Sequence, residues 1–352
     1  MCARKHSMLS GPALSAGRSI HGRIITLRAL FMDPVSLAVE ICRLSTSLAA
    51  TPTAALHHVS LAIPVGQVFG ILGGAHVGKS ALLQVLAGSL PVESGSVVLG
   101  GVDLAARRDQ ALAGVRAALL PAARPEGDPK LLDYVSADAQ VSGAQAERML
   151  RSLGLWRRRR ERMGRLSAAL RHAVGVVRAL AASPPILLLD EPGAGLAPAA
   201  AQTLQGQIAE HARSAASTVV LATARLDLAR RLCDRYALLD AGRLVAQLSS
   251  AELAEAAELG WYTIVVRGYV EPRWSERLSG LAIHHESGMT TLSGILVDQV
   301  SLNGILNKIY SLGLTLVSVR STPMDAARLG EYLARRTSAA YAERCLPMDY
   351  IA

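Results

Sequence analysis

The residues best placed to do chemistry lie at 73–80, GGAHVGKS, where small side chains lead into a lysine and a hydroxyl. A triphosphate is held mainly by main-chain N–H groups, which crowd around it only where side chains are small. Gly73, Gly74 and Gly78 supply that room. Lys79 can place its ammonium on the β- and γ-phosphates, Ser80 can offer a hydroxyl to Mg²⁺, and the N-terminus of a following helix adds partial positive charge. Ala75, His76 and Val77 complete the loop, and Ala81 continues into the helix. The GxxxxGK[ST] spacing leaves position 76 free, and histidine tolerates left-handed backbone better than most residues.

A second constellation is ILLLDEP at 186–192, an apolar run that ends in two adjacent carboxylates. Successive strand residues point to opposite faces, so the two can divide their work. Asp190 can reach Mg²⁺ through water, and Glu191 is the candidate general base that polarises an attacking water.

These groups need rigid elements behind them. Val68, Phe69, Ile71 and Leu72 read as a buried strand before the loop, and Ala81 to Leu86 as a helix after it. VSLAVEI and LHHVSLAI, between Val35 and Gly66, alternate as antiparallel edge strands, and SGSVVLGGVDL adds a short strand pair. Residues 131–155 show helical spacing, with Met149, Leu150, Leu153 and Leu155 on one side.

In the order of these motifs the chain resembles the ATP-binding subunits of ABC transporters, from about Met32 to Leu253. LSAALRHAVGVVRAL at 166–180 is similar to the family's LSGGQ signature and the helix after it. GAGLAP is similar to the loop where two such subunits touch, and VVLATARLDLARRLCDRYALLDAGRLVAQ to the segment with the switch histidine. The resemblance implies MgATP bound at a dimer interface, with a homodimeric or heterodimeric second ATP-binding subunit and a separate transmembrane permease subunit. It also places the chain in the cytoplasm, peripheral at the inner face of the plasma membrane.

Lys79, Ser80, Asp190 and Glu191 keep the family pattern, but several other positions depart from it. Ala224 stands at the switch histidine, with Arg225 beside it unable to accept a hydrogen bond. Ala122 replaces the glutamine expected after the next core strand, Ala168 and Ala169 the two signature glycines, and Ala197 the contact-loop aspartate. Ser167 can still cap its helix. Losing one acid/base or orienting group typically costs about 10² to 10⁴ in rate. The expectation is therefore firm nucleotide binding with weak or no hydrolysis by this chain alone, or a non-hydrolysing regulatory partner of another such subunit.

Composition narrows the class. With 51% hydrophobic residues, 352 residues suffice for one large domain and a small one. Mean hydropathy is +0.29, yet no run approaches the roughly 18 apolar residues of a membrane span. Cys2, Cys42, Cys233 and Cys345 are scattered without metal-ligand spacing, which fits a reducing compartment. The formal charge of +9 includes a basic leader, residues 1–31, read as disordered and as a candidate over-extended start. WRRRRERMGR at 156–165 lacks the interleaved aromatics of a nucleic-acid surface, so no nucleic acid is expected; it reads as a solvated loop or a contact for acidic headgroups or a permease loop.

After the connector SSAELAEAAELG, residues 256–323 alternate strand, helix, strand, strand, helix, strand. That order gives a small α+β ferredoxin-like domain, similar to the C-terminal extension of drug- and antibiotic-export ATP-binding subunits. His284 and His285 are adjacent in a strand and face opposite sides. Residues 324–352 form a helix-compatible tail. The fold class is thus α/β: a P-loop ABC-type ATPase domain over 32–255, with a mixed sheet core, an antiparallel edge sheet and a helical subdomain, followed by the small domain.

Overall fold

The structure, a computed structural model, describes residues 36–47, 55–120, 125–138, 141–214, 217–296, 299–330 and 333. The leader 1–31 and most of the tail lie outside them, as does Ala122.

The alternating edge segments pair as expected: β1 (Leu37–Thr46) runs antiparallel to β2 (Leu56–Pro64). The buried strand β3 (Val68–Leu72) leads into α1 (Lys79–Leu86). Then β4 (Ser94–Leu99) pairs with β1 and with the two-residue β5 (Val102–Asp103), which closes the edge sheet in the order β2-β1-β4-β5. A short helix α2 (Arg108–Leu112) precedes β6 (Val115–Ala118).

The stretch with helical spacing, 131–155, forms two helices, α3 (Leu131–Val135) and α4 (Gly143–Ser152). The break has a local cause. Ser142 caps α4, accepting from the Gln145 amide while the Gln145 side chain accepts from the Ser142 amide, and such a reciprocal cap starts a helix afresh. The basic run after it is not a free loop. The amides of Leu131, Leu132 and Met163 donate to the carbonyls of Glu161, Arg159 and Pro129, which ties it to α3, and the guanidinium groups of Arg151 and Arg159 both lie over the Trp156 ring.

The remaining core elements are α5 (Ala168–Ala181), β7 (Ile186–Asp190), α6 (Pro198–Ser214), β8 (Thr218–Thr223), α7 (Leu226–Leu232), β9 (Arg235–Asp240) and β10 (Arg243–Ser249). They form a six-stranded sheet, β10-β9-β3-β8-β7-β6, parallel except for β10. Both faces are covered, so its strands read as unbroken apolar runs: Leu187, Leu188 and Leu189 are all inaccessible to solvent. At about 1.5–3 kcal/mol for each fully buried leucine, this strand is a rigid mount for the carboxylates at its end.

Beyond α8 (Ser250–Glu258) lies a third, antiparallel sheet built from β11 (Gly260–Arg267), β12 (Ala282–Glu286), β13 (Met289–Leu296) and β14 (Thr315–Thr322), with α9 (Gln299–Ser311) between the last two strands. Its order, β12-β13-β11-β14, is the 4-1-3-2 arrangement of a ferredoxin-like unit read from the other edge. One expected element differs. EPRWSERLSG makes two short 3₁₀ turns, Pro272–Trp274 and Glu276–Leu278, not an α-helix, because Ser279 and Gly280 follow at once in left-handed backbone. His284 and His285 pair with Thr291 and Thr290 and so point to opposite faces; His285 stacks on Tyr269.

This sheet is bound to the larger core. Trp261 and Ile295 belong to the same apolar cluster as Leu189, Leu238 and Leu253. So do Met324, Ala326, Leu329 and Leu333 of the tail, whose residues 326–330 are helical. The described part of the tail thus packs on the main core, and Ala327 also approaches the phosphate loop at Gly74.

Candidate nucleotide site

The loop after β3 is shaped by backbone that side chains would obstruct. Gly73 has φ +155° and Gly78 φ +102°; a Cβ at Gly73 would lie 2.4 Å from the Leu239 carbonyl oxygen, and one at Gly78 2.9 Å from the Leu56 side chain. Gly78 is the N-cap of α1, so the first amides of that helix face the cradle. His76 takes φ +61°, the left-handed conformation its residue type accommodates. Ala75 and His76 are exposed, Val77 and Ser80 half-buried, and Ala81 buried.

Lys79 is the first residue of α1 and only 7% exposed. Its Nζ donates to the carbonyls of Gly73 (2.9 Å) and Gly74 (2.5 Å), so the ammonium is folded back onto the loop. Burial lowers its proton affinity below that of an ordinary lysine, against the opposing fields of Glu191 and Asp190. Those fields bring the two sequence motifs together, as does the packing of α1 on β7.

Asp190 ends β7 at 1% exposure. Its Oδ2 accepts from the Leu120 amide at 3.4 Å, and its Oδ1, also buried, has no partner. A buried carboxylate oxygen without a donor is costly unless a cation completes it, so the donor set fits a hard divalent cation. Ser80 and Asp190 would hold Mg²⁺, which would neutralise phosphate charge there. Behind the strand, the buried His172 of α5 donates Nε2–H to the Asp190 carbonyl at 2.7 Å, and burial depresses its proton affinity.

Glu191 was expected to continue the strand on its opposite face. It lies just past the strand in left-handed backbone, φ +42°. Its amide donates to the Ala222 carbonyl, while its carboxylate accepts from Thr223 Oγ1 (2.8 Å) and from the Ala224 amide (2.7 Å). The general-base candidate is thus held at the end of β8, beside the position of the expected switch histidine. Ala224 offers no side-chain acceptor there, and the Arg225 guanidinium is paired with Asp227 at 2.5 Å.

The signature residues stand at the start of α5. Ser167 caps it, accepting from the Leu170 amide at 3.3 Å. Ala168 is exposed, and the Cβ of Ala169 approaches to 3.1 Å of where a Cβ on Gly195 would be, which sets the signature end against the contact loop. Ala197 is exposed and its carbonyl accepts the first bond of α6. Thr223 and His172 escaped the sequence reading. Thr223 closes an apolar strand and His172 sits on the buried face of α5, and neither position has a spacing that marks it.

Residues 56–194 match the ABC transporter family. Residues 56–194 are an ABC transporter ATP-binding domain. The stretch 261–320 matches a domain of unknown function. Among curated proteins, a methionine import ATP-binding protein of Xanthomonas oryzae pv. oryzae is 33% identical over 219 residues, covering 59% of this chain and 65% of its own length. The corresponding protein of Caulobacter vibrioides is 33% identical over 206 residues, with 55% and 61% covered. The chain therefore spans somewhat under two thirds of these relatives. The ATP-binding subunit of an ABC transporter superposes with a TM-score of 0.53 at 25% identity, over 60% of this chain and 90% of that one. An ATP-binding cassette in a dimeric post-hydrolysis state with ADP and phosphate has a TM-score of 0.54 at 20% identity, over 60% and 98%, and shares the fold.

Proposed function

We propose that this chain is the ATP-binding, energy-coupling subunit of an ABC-type membrane transporter, one that binds MgATP and hydrolyses it weakly or not at all by itself. The carrying observation is the contrast between two carboxylates of one turn. Asp190 keeps a buried, unpartnered oxygen within the field of Lys79, as a cation site requires. Glu191 is tied to Thr223 and Ala224, where no imidazole is available to orient a phosphate or water.

The residues divide accordingly. The amides of 73–81 and Lys79 would bind the phosphates, Ser80 and Asp190 would take the metal, and Ser167 with the α5 N-terminus would face a second subunit across a nucleotide sandwich. Methyls at 168 and 169 narrow that approach. The division into a nucleotide domain over 32–255, a small domain over 256–323 and a tail belongs to this reading, as do a separate permease subunit and a location peripheral to the inner face of the plasma membrane. Among the described residues no helix is long and apolar enough to cross a membrane. The export direction expected from the small domain has no support in the relatives, which are named for import, and direction and cargo are assigned to the permease.

Calorimetry and phosphate release on the purified chain test the reading. The expected result is a heat of association with MgATP that Lys79→Ala abolishes, together with little turnover. Turnover at ordinary transporter rates, lost in Glu191→Gln, would refute weak hydrolysis. The absence of any heat would refute nucleotide binding. Turnover that appears only with a second, fully equipped ATP-binding subunit would favour the alternative, a regulatory member of a heterodimer.

A further inference from the structure

One peptide unit joins the two carboxylates of the site, and it is held at both ends. Its carbonyl, that of Asp190, accepts from His172 Nε2–H at 2.7 Å, and its N–H, that of Glu191, donates to the Ala222 carbonyl at 2.8 Å. Because the unit is planar, fixing its oxygen and its nitrogen fixes the frame from which both side chains leave: Asp190 before it and Glu191 after it.

That frame is strained. Glu191 takes φ +42°, a conformation that costs a residue with a β-carbon about 1–3 kcal/mol and persists only where the surroundings over-determine it. Relaxing φ to negative values turns the plane against the Glu191 side chain. Either the two bonds of the plane then break, or the carboxylate leaves Thr223 and the Ala224 amide. The bond from His172 is one of the few that oppose this relaxation.

Packing alone does not call for an imidazole at this place. His172 is 2% exposed, among Ala173, Val176 and Val177 of α5, each at 1% or less. A ring N–H buried in such surroundings costs free energy unless it is hydrogen-bonded, and the Asp190 carbonyl is the acceptor it meets. With the Asp190 backbone tethered in this way and Oδ2 on the Leu120 amide, Oδ1 is the oxygen left for a cation.

On the reading of Ser80 and Asp190 as the Mg²⁺ ligands, we propose that His172 is a positioning residue for that metal. Its Nε2–H holds the Asp190–Glu191 peptide in the left-handed turn that presents Asp190 Oδ1 to the cation. It acts only through the Asp190 carbonyl. Removing a hydrogen-bond partner that orients a metal-holding residue typically costs about 10- to 100-fold in metal affinity.

The test is calorimetry of ATP binding, once with saturating Mg²⁺ and once in EDTA, on the unaltered chain, His172→Leu and His172→Gln. The ratio of the two affinities is the gain that the metal supplies. Leucine removes the donor, whereas the glutamine amide can still donate to the carbonyl. The expected gain is about tenfold or more smaller in His172→Leu and within about threefold of the unaltered value in His172→Gln. Affinity in EDTA should stay within about twofold in all three, since Lys79 and the loop amides are untouched. An unchanged gain in His172→Leu would overturn the proposal. So would an equal fall in both variants, or a fall shared by the EDTA affinity, since either marks a merely structural residue. If His172→Leu does not fold, the His172 Hε2 resonance of the unaltered, ATP-bound chain decides: it should shift on adding Mg²⁺, because the cation polarises the peptide it binds, and a resonance left in place would overturn the proposal. No metal gain in the unaltered chain would overturn the metal reading itself, and no heat at all the nucleotide reading.

Discussion

The hold on Glu191 can be measured directly. Thr223 is fully buried, and its hydroxyl both donates to Glu191 Oε2 at 2.8 Å and accepts from the Arg225 amide at 3.1 Å. Thr223→Val keeps the shape and removes the hydroxyl. A hydrogen bond to a charged group is worth about 1.5–3 kcal/mol, and because Glu191 is only half-buried the lower end applies. The Arg225 amide stands at the surface, where water replaces its lost acceptor at little cost. The expected loss for Thr223→Val is therefore about 1.5–2 kcal/mol. Glu191→Ala removes the same bond and the one from the Ala224 amide, yet leaves a side chain in left-handed backbone, so its strain of about 1–3 kcal/mol stays. In the double variant the shared bond is lost once. Urea midpoints for the four proteins, compared at constant slope, should then give a coupling of about 1–1.5 kcal/mol between the two sites. Additivity within about 0.5 kcal/mol would show that Thr223 does not hold the carboxylate, and the account of a restrained Glu191 would fall with it.

Two pH dependences follow from burial. Desolvation depresses the proton affinity of Lys79, whereas a phosphate beside it favours the charged form; MgATP binding should take up protons at alkaline pH and weaken as pH rises through the depressed value. Calorimetry in buffers of differing ionisation enthalpy measures the uptake, Lys79→Arg should abolish the slope, and an affinity of the unaltered chain that stays flat up to about pH 10 would contradict it. His172 is buried with its proton affinity lowered, so the unfolded chain binds more protons than the folded one below its ordinary value of about 6.5. Stability should fall as pH drops through that window. His172→Gln, whose amide can still donate to the Asp190 carbonyl, should flatten that part of the profile in thermal melts; His211, lowered for the same reason, contributes the residue of the slope.

What the sequence disclosed and what it hid differ by the range of the interactions involved. The cradle is local: the glycines, Lys79 and Ser80 must stand at fixed spacing because one loop wraps one anion, and the structure places them between a buried strand and a helix as the spacing requires. Strands such as ILLLD were legible because burial on both faces leaves an unbroken apolar run. The state of Glu191 was not, because it depends on residues 32 and 33 positions away that reach it only when β7 and β8 align in register. The break between α3 and α4 was encoded in Ser142 and Gln145, but helical periodicity on both sides masked it. The contact of Ala327 with Gly74 joins residues 253 apart and has no chemical signature at either end, since its whole content is the absence of a side chain. For that reason the alanines at 168, 169, 197 and 224 are informative only in place. Those at 197 and 224 remove a group and those at 168 and 169 add a methyl, and the consequence depends on what the fold sets opposite: Gly195 for Ala169, and for Ala224 a carboxylate that its own backbone amide already holds.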